Sequence, residues 1–286
     1  MAELLRGAPV ARAIAEALAP RVDALRARGV EPRLAVVRVG EREDDLAYER
    51  AAERRCLAVG IAFQRVVLGA DGVDQASLEG ALDALGARGD VHGILLLRPL
   101  PAPLDDAAAA AASIPAEKDV DCAGPAGLLA TLSGRGGGFA PCTAESALAI
   151  LDHYGVPLDG ANVTVVGRSL VIGRPVSALL LARNATVTTC HTHTRDLAAA
   201  CRAADVIVAA AGSPAAIGPD CVRPGQVVVD VGTNWDAAAG RLVGDVDFDA
   251  VEPIVSAITP VPGGVGAVTT AILARHVVEA AERTCR

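Results

Sequence analysis

Short aliphatic runs, several ending at glycine, recur along this chain with helical patterns between them. In the first half they are RLAVVRVG (33–40), IAFQRVVL (61–68) and HGILLLRPLP (92–101), and between 163 and 232 they are VTVVG, ATVTTC, ADVIVAAAG and QVVVDVG. Runs this apolar are typical of strands that are buried on both faces of a parallel sheet. Because only 2% of the residues are aromatic, the core must consist of Val, Leu, Ile and Ala. The alternation predicts an α/β fold with right-handed crossovers.

The segments between these runs predict helices and a division into two domains. Apolar residues recur at helical spacing in 8–28, 48–59, 74–86, 143–155 and 269–286. The pattern weakens over 113–142, which is predicted to be loop and inter-domain connection. We therefore expect an N-terminal parallel-sheet domain of residues 1–142 with 270–286. A doubly wound, Rossmann-like domain of residues 143–269 is expected to follow it.

Charge and composition exclude several classes of partner. A net charge of −8 argues against nucleic acid, because phosphate binding needs a basic surface. The N-terminus is predicted to be an amphipathic helix rather than a signal peptide, and no apolar run is long enough to span a membrane. The seven cysteines are scattered and include no C-x-x-C pair, a distribution that is typical of free thiols in a reducing compartment. We expect a cytoplasmic protein without a metal site.

A glycine-bounded turn, Gly167 to Gly173, follows the strand VTVVG and precedes a predicted helix. Such a turn presents backbone N–H groups and a helix N-terminus to phosphate. The turn departs from G-x-G-x-x-G because Ser169 takes the second glycine position and the last glycine lies one residue later. By itself, the motif is explained equally well as an ordinary strand-to-helix turn.

The end of the next strand favours NADP over NAD as the cofactor. An NAD-specific domain usually has an acid there, which binds the ribose 2′-hydroxyl. Here the residues are Cys190-His-Thr-His-Thr-Arg195, and no acid occurs before Asp196. Together with Arg168, these hydroxyl and cationic groups suit a 2′-phosphate. The simpler alternative is that the histidines lie on a solvated loop.

Motifs along nearly the whole chain resemble one enzyme family. VRVG, the Tyr48 helix, GILLLRPLP, EKDVD, PCT, VVGRSLVIGRP, TVTTCH, VDVGTN, GDVDF and TPVPGGVGAVT occur in the order and spacing of the bifunctional methylenetetrahydrofolate dehydrogenase/methenyltetrahydrofolate cyclohydrolases. The most specific is PGGVG with its following threonine. The resemblance implies a folate cleft between two domains, NADP on the second domain, and a homodimer.

The resemblance also implies roles for particular residues. Tyr48 would stack on the aromatic ring of the folate, and Asp121 would hold the pterin, both as catalytic residues. Pro262, Gly263, Gly264 and Val265 would form a loop near the pterin and the nicotinamide. The cofactor would contact Gly167, Arg168, Ser169, Ile172, Gly173, His191, Thr192, Gly232, Thr233 and Thr269. Each assignment has a simpler alternative: Tyr48 as a core aromatic, Asp121 as a turn cap, which the residues alone favour, and PGGVG as a tight turn.

Two positions depart from the family pattern. The family helix reads Y-x-x-x-K, but Ala52 occupies the lysine position, and Leu97 occupies the glutamine position of the strand that reads G-I-L-V-Q-L-P. Hydride transfer needs orientation and no proton transfer, whereas hydrolysis of the methenyl group needs a positioned acid or base. We therefore expect an NADP-dependent dehydrogenase whose cyclohydrolase is weak or absent. The alternatives are rescue by Arg98, Arg55 or Lys118, a relative acting on another substrate, and a folate-binding protein without catalysis.

Overall fold

A computed structural model describes residues 1–70, 72–135, 137–237 and 240–285. These residues form two compact units. The first unit comprises residues 13–142 and 270–286, and the second comprises 1–12 and 143–269. Among the residues described, no helix has both the length and the apolar character needed to cross a bilayer.

The first unit is built on three parallel strands, with β2 in the centre and β3 and β4 at its sides. Its strands are β2 (Arg33–Val39), β3 (Ala62–Leu68) and β4 (Gly93–Leu96). Its helices are α1 (Gly7–Ala27, which begins in the second unit), α2 (Glu43–Ala58), α3 (Gln75–Gly86), α4 (Asp106–Ser113), α5 (Pro125–Ser133) and α10 (Thr269–Arg283, whose first residue belongs to the second unit). β2 is buried over most of its length, as is typical of the central strand of a parallel sheet. The aliphatic core of the first unit includes side chains of β2, β4 and α3.

The prediction of loop over 113–142 was wrong in its middle part. α5 occupies 125–133, with Pro125 at its first position and Gly134 in the left-handed conformation at its end. Proline at the start and glycine after the end are strong helix boundaries, and the apolar stretch between them is short enough to escape a periodicity search. The predicted strand 92–101 also ends earlier, at Leu96. Gly136 and Arg286, which fall in a predicted loop and a predicted helix, lie outside the described residues.

The second unit contains a six-stranded parallel sheet in the order β1-β11-β8-β7-β5-β6. Its elements are β1 (Glu3–Leu4), α6 (Cys142–His153, whose first residue belongs to the first unit), β5 (Asn162–Val166), α7 (Gly173–Leu181), β6 (Thr186–Cys190), α8 (Leu197–Ala203), β7 (Val206–Ala209), β8 (Val227–Asp230), β9 (Asn234–Asp236), β10 (Arg241–Val243), α9 (Phe248–Val251) and β11 (Ala257–Ile258). β9 and β10 form a separate antiparallel hairpin. The doubly wound α/β prediction is therefore confirmed for this unit.

The first twelve residues belong to the second unit, although the sequence prediction assigned them to the N-terminal domain. β1 pairs in parallel with β11, with Glu3 opposite Ala257. The backbone N–H of Gly7 donates to the carbonyl of Gly263 at 2.8 Å. A two-residue strand carries no periodic signal, so only the pairing partner reveals it.

Candidate functional site

The turn after β5 is shaped so that only glycine fits at its two ends. Gly167 has φ 133°, and a Cβ there would lie 2.0 Å from the carbonyl oxygen of Ala210. A Cβ on Gly173 would lie 2.3 Å from the carbonyl oxygen of Gly167. The backbone therefore closes tightly on itself at the N-terminus of α7, which is where a phosphate group binds in dinucleotide folds.

Ser169 holds this turn in shape. Its Oγ accepts hydrogen bonds from the N–H groups of Ile172 at 3.1 Å and Gly173 at 3.4 Å. The carbonyl of Arg168 accepts from Nε of Arg174 at 3.1 Å, while the side chain of Arg168 is exposed. The turn thus combines a fixed backbone with two exposed guanidinium groups, an arrangement suited to an anion.

The end of β6 presents hydroxyl and imidazole groups without a competing carboxylate. The N–H of His191 donates to Oγ1 of Thr194 at 2.8 Å, and Nδ1 of His191 accepts from the N–H of His193 at 3.1 Å. Thr192 is exposed. The first acid after the strand, Asp196, caps α8 by accepting from the N–H of Ala199 at 2.8 Å. Its carboxylate is therefore already engaged at the start of the helix.

A cavity of about 350 Å³ lies against the PGGVG segment of the second unit. Gly232, Thr233 and residues 260–267, which include Pro262 to Val265, line it. The bond between Gly7 and Gly263 fixes one side of this segment. Thr269 lies just beyond it at the start of α10, where its Oγ1 donates to the carbonyl of Gly266 at 3.1 Å.

In the first unit, Tyr48 and Ala52 lie one turn apart on α2. Tyr48 is half-buried, whereas Ala52 has none of its surface exposed. Ala52 belongs to the buried stripe of this helix, together with Asp45, Glu49 and Cys56. The side chain at position 52 is thus a methyl group that packs in the interior.

Asp121, which is half-buried, lies in a polar cluster of the first unit. Burial raises the pKa of its carboxyl, while a hydrogen bond from Cys142 and the charges of Arg98 and His276 oppose that rise. Nδ1 of His276 donates to the carbonyl of Val120 at 2.8 Å, which requires the proton to be on Nδ1. This bond fixes the imidazole of His276 beside the carboxyl of Asp121.

Models of two domains of one family match this chain. The catalytic domain of tetrahydrofolate dehydrogenase/cyclohydrolase matches residues 5–121, and the NAD(P)-binding domain of the same family matches residues 141–285. The chain belongs to the tetrahydrofolate dehydrogenase/cyclohydrolase family. The resemblance of its motifs to that family is therefore confirmed.

Relatives match over the full length of the chain. The bifunctional protein FolD of Carboxydothermus hydrogenoformans is 49% identical over 285 residues, which are 99% of this chain and 98% of the relative. The solved structure of the bifunctional FolD dehydrogenase/cyclohydrolase from Campylobacter jejuni has a TM-score of 0.94 at 36% identity, covering 99% of this chain and 100% of that one. The Trypanosoma brucei FolD, solved with NADP and an inhibitor, has a TM-score of 0.91 at 36% identity and covers 100% and 99%. These relatives are enzymes of the methylenetetrahydrofolate dehydrogenase/cyclohydrolase type.

The position of Leu97 is well defined by strand pairing. Leu97 follows β4, and its N–H donates to the carbonyl of Val37 at 2.9 Å. Its side chain is buried. Arg98, the next residue, is close enough to influence the carboxyls of Asp119 and Asp121. A hydrophobic side chain and a guanidinium therefore occupy this strand end.

Lys118 is the only lysine in the sequence. Its Nζ donates to the carbonyls of Gly86 at 2.7 Å and Arg88 at 2.6 Å. Both bonds tie it to the end of α3 and the residues that follow. Lys118 is thus engaged in a structural role in the first unit.

Several residues of the site were missed by sequence reasoning. Cys142 and His276 neighbour Asp121, and Asp230 and Asp245 bind the loops around the cavity. Asp230 and Asp245 stand at the ends of the runs VVVD and GD, and an acid that ends a buried strand is a usable signal. Of the described residues, no group of three or more His, Cys, Asp or Glu is arranged to hold a metal ion.

Proposed function

We propose that this protein oxidises 5,10-methylenetetrahydrofolate to 5,10-methenyltetrahydrofolate with NADP, and that its cyclohydrolase activity is weak or absent. The prediction of a weak or absent cyclohydrolase rests on two observations, the residue one turn after Tyr48 and the contacts of the only lysine. The position one turn after Tyr48 is a buried alanine, and the only lysine of the chain is bound to two carbonyls elsewhere. Membership of the family supports the first half.

The second unit has features that fit a dinucleotide phosphate. The glycine turn leaves no room for side chains at Gly167 and Gly173, so a ligand group can approach the backbone closely. Arg168, His191 and Thr192 supply the charge and hydroxyl groups that a 2′-phosphate needs. We infer that this cluster selects NADP over NAD. When bound, NADP would accept the hydride from the methylene carbon.

The chain's own residues then have the task of orientation. Tyr48 provides a half-buried aromatic face for the folate ring, and Asp121 provides a carboxyl for the pterin. In the second unit, the segment Pro262 to Val265 forms a wall of the cavity that is proposed to hold the nicotinamide end of the cofactor. Since the product is a resonance-stabilised cation, no side chain has to move a proton, and proximity supplies most of the acceleration.

Hydrolysis of the methenyl product makes a different demand. Water must add to the cation and protons must move as one C–N bond breaks, which requires a positioned acid or base. Ala52 and Leu97 carry no group that transfers a proton. Arginine is a poor acid or base near neutral pH, so neither Arg55 nor Arg98 is a suitable substitute. We expect the loss of about 10²- to 10⁴-fold that general acid–base catalysis typically contributes.

Two assays on the purified protein test the two halves separately. With methylenetetrahydrofolate and NADP, NADPH formation and methenyl absorbance are followed together, and accumulation of both is expected. With methenyltetrahydrofolate alone, decay should equal the spontaneous rate. Decay well above that rate would support the fully bifunctional alternative. Folate binding without NADPH formation would support a binding protein instead.

A gain-of-function variant tests whether Ala52 and Leu97 are the reason for the weak hydrolysis. Ala52→Lys with Leu97→Gln should accelerate methenyl hydrolysis, provided that thermal unfolding shows a folded protein. The matched control is Ala51→Lys with Leu97→Gln, because Ala51 is adjacent but half-buried on a neighbouring face of α2. Equal hydrolysis in both variants would show that position 52 is not the determinant.

We also propose a homodimer, on the basis of the family resemblance. Light scattering coupled to size-exclusion chromatography should give twice the chain mass of 28.9 kDa. A monomer at micromolar concentration would contradict it.

A further inference from the structure

Two buried acids connect the loops at one edge of the six-stranded sheet. Asp230 ends β8 and Asp245 follows β10, and their exposed fractions are 3% and 0%. The carboxylate of Asp230 accepts from the N–H groups of Gly232 at 2.9 Å, Asp245 at 3.0 Å and Val246 at 2.9 Å. Asp230 therefore holds in place the backbone that carries Asp245.

Asp245 extends this connection to the neighbouring strands. Its carboxylate accepts from the N–H groups of Gly212 at 2.9 Å and Ser213 at 3.0 Å, in the loop after β7. It also accepts from Nδ2 of Asn234 at 2.9 Å, at the start of β9. One side chain thus ties the loop after β7 to the loop after β8. In open parallel sheets, ligands bind outside this carboxyl edge.

The backbone packs directly against these carboxylates. A Cβ on Gly232 would lie 2.3 Å from Oδ1 of Asp245, and a Cβ on Gly244 would lie 1.8 Å from Oδ2 of Asp230. Gly232 and Thr233 are also walls of the 350 Å³ cavity beside the PGGVG segment. The shape of that cavity wall therefore depends on the two acids, although only Asp230 lines it.

We propose that Asp245 is a positioning residue for the nicotinamide end of NADP, acting through the loops at 212–213 and 232–234. This inference rests on the proposed function. Asparagine in its place would present an NH₂ group to donors, so at least one of the three hydrogen bonds would be lost. Because a displacement of about 1 Å can reduce a rate about 100-fold, a small shift of these loops should be measurable.

Calorimetry can test this by comparing the affinity of each variant for NADP with its affinity for 2′,5′-ADP. For Asp245→Asn, the affinity for NADP should fall about tenfold or more and the rate of NADP reduction at saturation should fall with it, because the displaced loops would position the nicotinamide less well. The affinity for 2′,5′-ADP, which lacks the nicotinamide, should stay within about twofold. Asp249→Asn is the matched control, since it removes the same charge from an exposed position of α9.

The outcomes separate this inference from the proposed function. Unchanged NADP affinity and rate in Asp245→Asn would overturn the inference, and so would equal weakening of NADP and 2′,5′-ADP. Wild-type protein that neither binds NADP nor reduces it would instead contradict the proposed function. If Asp245→Asn does not fold, Asn234→Ala removes one donor to the same carboxylate. It should weaken NADP but not 2′,5′-ADP, and the absence of that difference would overturn the inference.

Discussion

Replacing Glu49 with glutamine would remove the negative charge that two arginines share beneath α2. Oε2 of Glu49 lies 2.9 Å from Nε of Arg38, and Oε1 lies 2.7 Å from Nε of Arg65. Glu49 is 4% exposed and Arg38 is 8% exposed, so the variant would leave a buried guanidinium without its carboxylate, bound to the carbonyl of Gly40. Breaking a buried pair in this way costs about 3–5 kcal/mol, which is a large part of the about 5–15 kcal/mol that stabilises a typical native protein.

Urea unfolding followed by circular dichroism would measure this loss. Trp235, the only tryptophan, lies in the second unit, so its fluorescence reports separately on that unit. We expect the decrease in the free energy of unfolding to be confined to the first unit. Because Tyr48 precedes Glu49 on α2, we also expect the variant to bind folate more weakly. Arg65→Ala should cost no more than about 1 kcal/mol, because the Arg65 side chain is 44% exposed.

A double variant distinguishes an unpaired charge from lost packing. Arg38→Leu with Glu49→Leu removes both charges, and it should restore most of the stability that Glu49→Gln loses. A loss below about 1 kcal/mol in Glu49→Gln would refute the reasoning, since it would mean that water or another group satisfies Arg38. So would a double variant that is less stable than the single one.

Three further predictions concern the second unit. Arg168→Ala should weaken NADP binding about tenfold or more and leave NAD binding nearly unchanged, as measured by calorimetry with both cofactors. Gly173→Ala should abolish NADP binding in the same assay, because its Cβ would lie 2.3 Å from the carbonyl oxygen of Gly167. Burial raises the pKa of Asp230 from 3.8 to about 6, so the folded state binds an extra proton between these values. The contribution of Asp230 to the free energy of unfolding should therefore be greatest below pH 4 and decrease by about 3 kcal/mol as the pH rises through 6. Thermal unfolding of Asp230→Asn, measured over the same pH range, should lack that decrease.

Much of the fold follows from patterns that are local in the sequence. The aliphatic run 33–40 could be identified as the buried strand β2, and the glycines at 167 and 173 marked the start of α7. α5 was missed because its apolar stretch is short, and β1 because two residues show no period. For the same reason, residues 1–12 were assigned to the other unit.

The candidate site was predicted less completely than the fold. Tyr48, Asp121 and the PGGVG segment could be singled out because they lie in specific motifs. The environment of Asp121 could not, since Arg98, Cys142 and His276 come from distant parts of the sequence. The hydrogen bonds of Lys118 could not be predicted either, because its acceptors are backbone carbonyls, which every residue carries.

The sequence by itself determined the chemical groups that are present: an alanine at 52, a leucine at 97, a single lysine, and a glycine-bounded turn after a buried strand. The longer motifs, PGGVG above all, predict the family, whereas Ala52 and Leu97 are what calls its hydrolytic step into question. Only the tertiary structure decided which of these groups are engaged. Lys118 binds carbonyls of the first unit, and Asp245 binds a loop 33 residues before it in the chain. Hydrogen bonds and burial depend on distances in space, and chain folding brings together groups whose separation in sequence gives no indication of contact.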